Sequence, residues 1–164
     1  LRYTFSVPPL FKISRDALQT IERHVLQWPD AEVCGLLAGK DGSAQLALRT
    51  LNAAPNPATE YEIAPVELFA AMRVIREAGM KLVGIYHSHL HGEASPSARD
   101  IADATYPDAA YLIAVANETG DVRARAWSLK SGAASELQIE VTGPAPQGPK
   151  PSKTKPPKAQ NPSR

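Results

Sequence analysis

Apolar and polar residues follow two rhythms along this chain, and the switches between them mark its elements. Leu10–Ile13 reads as a short first strand. Leu18, Ile21 and Val25, with Ala17 alongside, recur at helical spacing, and Ser14 stands at an N-cap position. The pattern predicts a helix from about Arg15 to Gln27, stopped by Pro29. Val33–Ala38 is a short apolar run typical of a buried strand, Asp41-Gly42 is a turn signal, and Ala44–Leu51 supplies a hairpin partner. Asn52–Thr59 reads as a loop and Glu60–Ile63 as a brief extended segment. A second helix follows, with Pro65 in its first turn, Gly79 at its end, and Leu68, Phe69, Met72 and Ile75 as its core-facing stripe. Lys81–Tyr86 is a central strand that ends at His87. A loop over residues 90–96 leads to a short helix starting near Ser97. Tyr111–Ala116 is another buried strand, Glu118–Asp121 a turn, Val122–Leu129 a half-exposed strand and Leu137–Val141 a last strand. There is no internal repeat. Helices interleaved with strands and hairpins predict an α+β, mixed α/β fold: a central mixed sheet sandwiched by helices.

The chemistry concentrates where the central strand ends. The segment reads HSHLHGEASPSARD from His87. Side chains at i and i+2 of a strand share a face, so His87 and His89 can point at one spot while Ser88 points away. Asp100 lies a short loop later. Catalytic zinc commonly takes three protein ligands and keeps one open position, and two His with one Asp fit that count. Ser97 and Asp100, three apart, also spell a helix capping box, and a cap does not preclude a ligand role. Upstream, Pro29–Gly39 places Glu32 just before an apolar strand. It reads either as a solvated turn residue or as the base that a metal-activated water requires.

The two segments together resemble the JAMM metalloproteases, or MPN-plus (Mov34/PAD-1-like) domains. That pattern is a Glu before a strand, then His-Ser/Thr-His, seven residues, Ser, two residues and Asp. Glu32, His87, Ser88, His89, Ser97 and Asp100 match it. EVCGLLAG, EYEIAPVELFAAMR, VGIYHSH, PSARDIADA, AYLIAVA and VRARAWSL resemble the compact prokaryotic branch, in the same order, over about residues 10–130. Many members carry Pro directly after the second His; here the residue is Leu90, which shapes a loop and is not a ligand. His91 is an additional loop histidine. The resemblance implies a JAMM/MPN-like three-layer fold and one Zn²⁺ held by His87, His89 and Asp100. It also implies Glu32 as the proton carrier, Ser97 as a donor to the oxyanion, and Ser88 in a supporting role. The implied reaction is hydrolysis of a peptide or isopeptide bond after the C-terminal Gly-Gly of a ubiquitin-like or sulfur-carrier protein. The short stretch between Asp100 and the Tyr111 strand leaves no room for the second insertion by which family deubiquitinases grip ubiquitin. This favours a small β-grasp carrier as substrate.

Size and charge refine this picture. An apolar fraction of 43% in 164 residues supports one domain with a real core. No stretch is long and apolar enough to span a bilayer, and LRYTFSVPPL lacks the apolar core of a signal peptide, so the expected location is cytoplasmic. The only cysteine, Cys34, rules out an intrachain disulfide and reads as a small buried strand residue. Residues 143–164 hold five basic residues and no acid, which leaves about −4 on residues 1–142. The chain therefore divides into a catalytic domain over 1–142 and a Pro/Lys-rich tail over 143–164 expected to be disordered. With no aromatic residues among its charges, the tail offers no stacking platform for nucleic acid. A homodimer is left open. Two other classes remain. A catalytically silent MPN scaffold would lack ligands, and none is missing. Another His-x-His hydrolase would need further His and Asp ligands, and only His24 and His91 are left over.

Overall fold

A computed structural model describes residues 9–144. Its elements in chain order are β1 Leu10–Ser14, α1 Arg15–Gln27, β2 Cys34–Lys40, β3 Ser43–Thr50, α2 Pro65–Glu77, β4 Lys81–His89, α3 Ala98–Ala102, β5 Ala110–Ala116, β6 Val122–Ser128 and β7 Ser135–Thr142. A single 3-10 turn, Lys130–Gly132, precedes β7.

The strands form one mixed sheet in the order β1-β3-β2-β4-β5-β6-β7, which curls until β1 joins both ends. β1 runs parallel to β7 over five residue pairs and meets β3 at Ile13↔Ala44. The side-chain period of two sorts each strand between two cores. Leu37, Tyr86, Leu112 and Ala114 pack with Ala17, Ile21 and Val25 of α1. Leu36, Ile85 and Tyr111 pack with Ala71 and Ile75 of α2. The expected mixed sheet between helices is therefore the architecture found, with its two ends closed on each other as the addition.

Local signals act as the pattern predicts. Ser14 caps α1, its hydroxyl accepting from the Ala17 amide. Asp41 and Gly42 both take positive φ in the β2–β3 hairpin, the geometry of a two-residue turn that matches strand twist. Gly35 lets β2 lie directly against the Tyr86 ring and the Leu48 carbonyl, where a Cβ would collide with both.

Three expectations change. β4 continues past Tyr86 through His89, so both histidines lie within the strand. Glu60–Ile63 forms no strand and makes only an isolated bridge, Asn52↔Ile63. Phe69 is not core: it is 75% exposed, while Ala71 and Ile75 carry the buried stripe of α2 and Leu68 and Met72 flank it. The four-residue spacing from Leu68 to Met72 already completes the inward face, and Phe69 lies on the outer edge beside exposed Val66. No helix among the described residues is long and apolar enough to cross a membrane. Of the tail expected to be disordered, only Gly143 and Pro144 fall within the described residues; residues 145–164 lie outside them.

The topology fixes where a site can form. β2 and β4 are antiparallel, with Cys34 opposite His87, so the start of β2 lies beside the end of β4. β4 and β5 are parallel, so the chain must cross back between them, and α3 sits on that crossover. Glu32, the two histidines and the first turn of α3 therefore meet at one end of the sheet.

Candidate active site

His87 and His89 project from β4 on the α2 side, as their i, i+2 spacing requires. His87 is completely buried. Its Nε2 lies 3.1 Å from His89 Nε2 and 3.2 Å from Asp100 Oδ1, and His89 Nε2 lies 3.3 Å from Asp100 Oδ2. Among the described residues these three form the one cluster suited to a metal ion. Bonds of about 2.0–2.2 Å in a tetrahedron separate neighbouring donors by roughly 3.3–3.5 Å. The three donor separations are close to that edge length, and two imidazoles with a carboxylate suit zinc chemically, so the residues fit the ion.

Electrostatics agree with this geometry. Burial lowers the His87 pKa, favouring the neutral ring that a ligand must be, although the Asp100 contact opposes it. A hydrogen bond to Asp100 raises His89 against its own burial. Burial alone would raise Asp100, but hydrogen bonds from His87, His89 and Ser97 outweigh it and hold the carboxyl well below the usual range.

Asp100 owes its place to the capping box of α3. Ser97 Oγ accepts from the Asp100 amide at 3.1 Å and donates to Asp100 Oδ2 at 2.7 Å, while the Ser97 amide donates to the same Oδ2 at 2.7 Å. The cap thus sets Asp100 where it could serve as a ligand. Ser88 faces the other way: its Oγ accepts from the Val33 amide at 2.9 Å, and its own amide donates to the Val33 carbonyl. That pair pins the residue next to Glu32 against the histidine strand.

Glu32 is 6% exposed, so it is not the solvated turn residue that its local sequence allows. Burial is the main cause that pushes its carboxyl up to about 7; nearby His89 opposes the rise and Asp100 adds to it. Glu32, His89, Ser97 and Asp100 all line one open cavity of about 780 Å³ that continues past Tyr61, Ile63 and Leu68 to Tyr106. His91 is exposed and outside the cluster. His24 is buried on the opposite side of the sheet, its Nδ1 2.8 Å from the Tyr86 hydroxyl. Cys34 is buried and unpaired, as expected, with its thiol pushed up to about 11, chiefly by burial.

Several residues around the site were not legible from spacing. Asn52 donates to the carbonyls of Glu32 and Glu60 and accepts from the amides of Ala54 and Glu62. Tyr61, between Glu60 and Glu62, stacks on His87 with ring centroids 4.3 Å apart and planes 19° apart. Arg99 forms ion pairs with Glu60 and Asp103, tying α3 to the same segment. Trp127 Nε1 donates to the Ala94 carbonyl at 2.9 Å and anchors the loop between His89 and Ser97. Apart from the neighbours Ala54 and Asp103, each partner comes from another strand or loop. The only local hint was that Tyr61 falls in the recognisable EYEIAP segment.

Known proteins give a consistent comparison. The family model for prokaryotic homologs of the JAB domain matches residues 14–130. A desampylase from Haloferax volcanii is 34% identical over 122 residues, covering 71% of this chain and 86% of that protein. A CysO-cysteine peptidase from Mycobacterium tuberculosis is 31% identical over 131 residues, covering 79% and 89%. The solution structure of a protein from Desulfitobacterium hafniense superposes with a TM-score of 0.72 at 26% identity, covering 81% of this chain and 92% of that one.

Proposed function

The chain belongs to the family of prokaryotic homologs of the JAB domain, and from that premise we propose that it is a zinc-dependent metallopeptidase. It hydrolyses the bond after the C-terminal Gly-Gly of a small ubiquitin-like or sulfur-carrier protein. The observation that carries the reading is the convergence of His87, His89 and Asp100 at donor spacing, with buried Glu32 on the same cavity. The names of the two relatives, a desampylase and a CysO-cysteine peptidase, support substrates of this class.

In this reading His87, His89 and Asp100 hold the metal. Zinc, when bound, supplies a Lewis acid for the scissile carbonyl and brings the pKa of a water at its open position toward ~7. Glu32 takes the proton from the attacking water and returns it to the leaving amine nitrogen, a task suited to a carboxyl raised to about 7. Ser97 holds Asp100 through its amide and hydroxyl, and that hydroxyl serves the developing oxyanion by turning its one proton away from Asp100 Oδ2. Ser88 steadies Glu32 through Val33. The cavity accepts an extended Gly-Gly tail, and the carrier is a small β-grasp protein. The reading includes a cytoplasmic location, in keeping with a chain whose one cysteine is unpaired.

Elemental analysis and a cleavage assay test it together. Purified protein should carry about one zinc per chain, and His87→Ala or Asp100→Ala should lose it. A carrier fused through its Gly-Gly end to a reporter peptide should be cut after the second glycine, and a chelator should stop the cut. Glu32→Gln should keep zinc but lose about 10²–10⁴-fold in turnover, because an amide cannot shuttle protons. Full zinc retention in both ligand variants, or wild-type turnover in Glu32→Gln, would overturn the assignment.

A further inference from the structure

A histidine bound to metal through one ring nitrogen usually donates from the other to a carboxylate, a carbonyl or water. That outer bond fixes the tautomer and the plane of the ring. Among the described residues none fills that place for His87. With Nε2 directed at His89 and Asp100, its Nδ1 is buried and meets no hydrogen-bonding protein group there. The ring is nevertheless fully enclosed, and one of its faces is covered by Tyr61 in a nearly parallel stack. Tyr61 is itself held firmly in place. Asn52 binds the carbonyl of the residue before it and the amide of the residue after it, and also the carbonyl of Glu32.

We propose that Tyr61 is the positioning residue for His87: its stacked ring sets the plane of the imidazole, the role that an outer hydrogen bond fills elsewhere. The consequence is specific. Aromatic pairs prefer defined geometries beyond simple burial, so a flat ring should serve where an aliphatic side chain of similar bulk does not. The phenol hydroxyl takes no part, because it is the ring face that meets His87. Asn52 extends the device by joining the Tyr61 segment to the backbone of Glu32, so that the ligand ring and the proton carrier keep one spacing.

The inference rests on His87 being a zinc ligand, and the test separates the two. Zinc affinity is measured by chelator competition on the full chain, and the site geometry by the Co²⁺ d–d spectrum, for the wild type, Tyr61→Phe, Tyr61→Leu, Tyr61→Ala and His87→Ala. The expected result is wild-type affinity and spectrum in Tyr61→Phe, affinity about 10-fold weaker in Tyr61→Ala with an altered cobalt spectrum, and Tyr61→Leu resembling the alanine variant. Thermal melts of the zinc-free proteins identify any variant that has lost its fold, and Tyr61→Leu then decides against Tyr61→Phe. Equal affinity in all three Tyr61 variants overturns the proposal, as does a loss in Tyr61→Phe as large as in Tyr61→Ala, or a Tyr61→Leu protein that behaves as Tyr61→Phe. If the wild type binds no zinc, or His87→Ala binds as well as wild type, the metal reading falls and this inference falls with it.

Discussion

Ser97 makes three hydrogen bonds with Asp100, so removing its hydroxyl acts on the proposed ligand before it acts on substrate. Ser97→Ala should cost about 1 kcal/mol of stability as a lost helix cap and weaken zinc severalfold. Turnover measured again at saturating zinc then isolates whatever Ser97 contributes to the oxyanion. Unchanged zinc affinity would mean that the backbone amide alone positions Asp100. At this scale much of the site was readable. His87, His89, Ser97 and Asp100 are tied by spacings of two and three that strand and first-turn geometry translate directly into shared faces. Asn52 and Tyr61 were not readable, because their partners are set by which distant strands lie side by side. Ser88 falls between: alternation turned it away from its neighbours, but only the β2–β4 register supplies Val33 as its partner.

Among the elements, β2 has the least freedom. Gly35 carries no side chain because the Tyr86 ring and the Leu48 carbonyl fill the space above it. Gly35→Ala should therefore destabilise by about 2–3 kcal/mol in urea denaturation, with the damage passed to β4 through Tyr86. On α2 the contrast between faces is the measurement. Phe69→Ser, at a position 75% exposed, should change stability by no more than about 0.5 kcal/mol, whereas Ile75→Ala should cost about 2–5 kcal/mol. The positions of strands and helices were legible because their apolar periods and their turn and cap residues agree. Phe69 was misassigned because a helix of this period has two apolar edges, and a large residue at the border gives no local sign of which way it leans. The brief extended segment over residues 60–63 was misjudged for a different reason. Its backbone partners are mostly the Asn52 side chain, which substitutes for a strand ladder.

For the molecule as a whole, the buried pair behind the sheet sets a dependence on acid. His24 is lowered from 6.5 to about 4, first by burial and then by Arg49. The unfolded chain therefore takes up a proton at His24 that the folded chain refuses. Stability on this account is complete above pH 6.5 and is lost as pH falls toward 4, by up to about 3 kcal/mol. His24→Gln keeps a hydrogen-bonding group for the Tyr86 hydroxyl but does not titrate. Its stability should fall less steeply than that of wild type between pH 6.5 and 4, measured on zinc-free protein by urea denaturation. Parallel slopes would show that His24 is protonated without cost.

The parallel pairing of β4 with β5 has a consequence for when the protein becomes an enzyme. Glu32 precedes β2, the histidines end β4, and Asp100 rides on the crossover that leads into β5. A chain still emerging from the ribosome can present both histidines and the acid long before the strand that seats Asp100 has been made. Such non-local pairing forms late, and a metal site assembled by folding binds no earlier than the fold does. Hydrolytic competence is therefore withheld from forms of the molecule that end before β5. A nascent or proteolytically shortened chain that ends before Ala110 should neither retain zinc nor cut its neighbours.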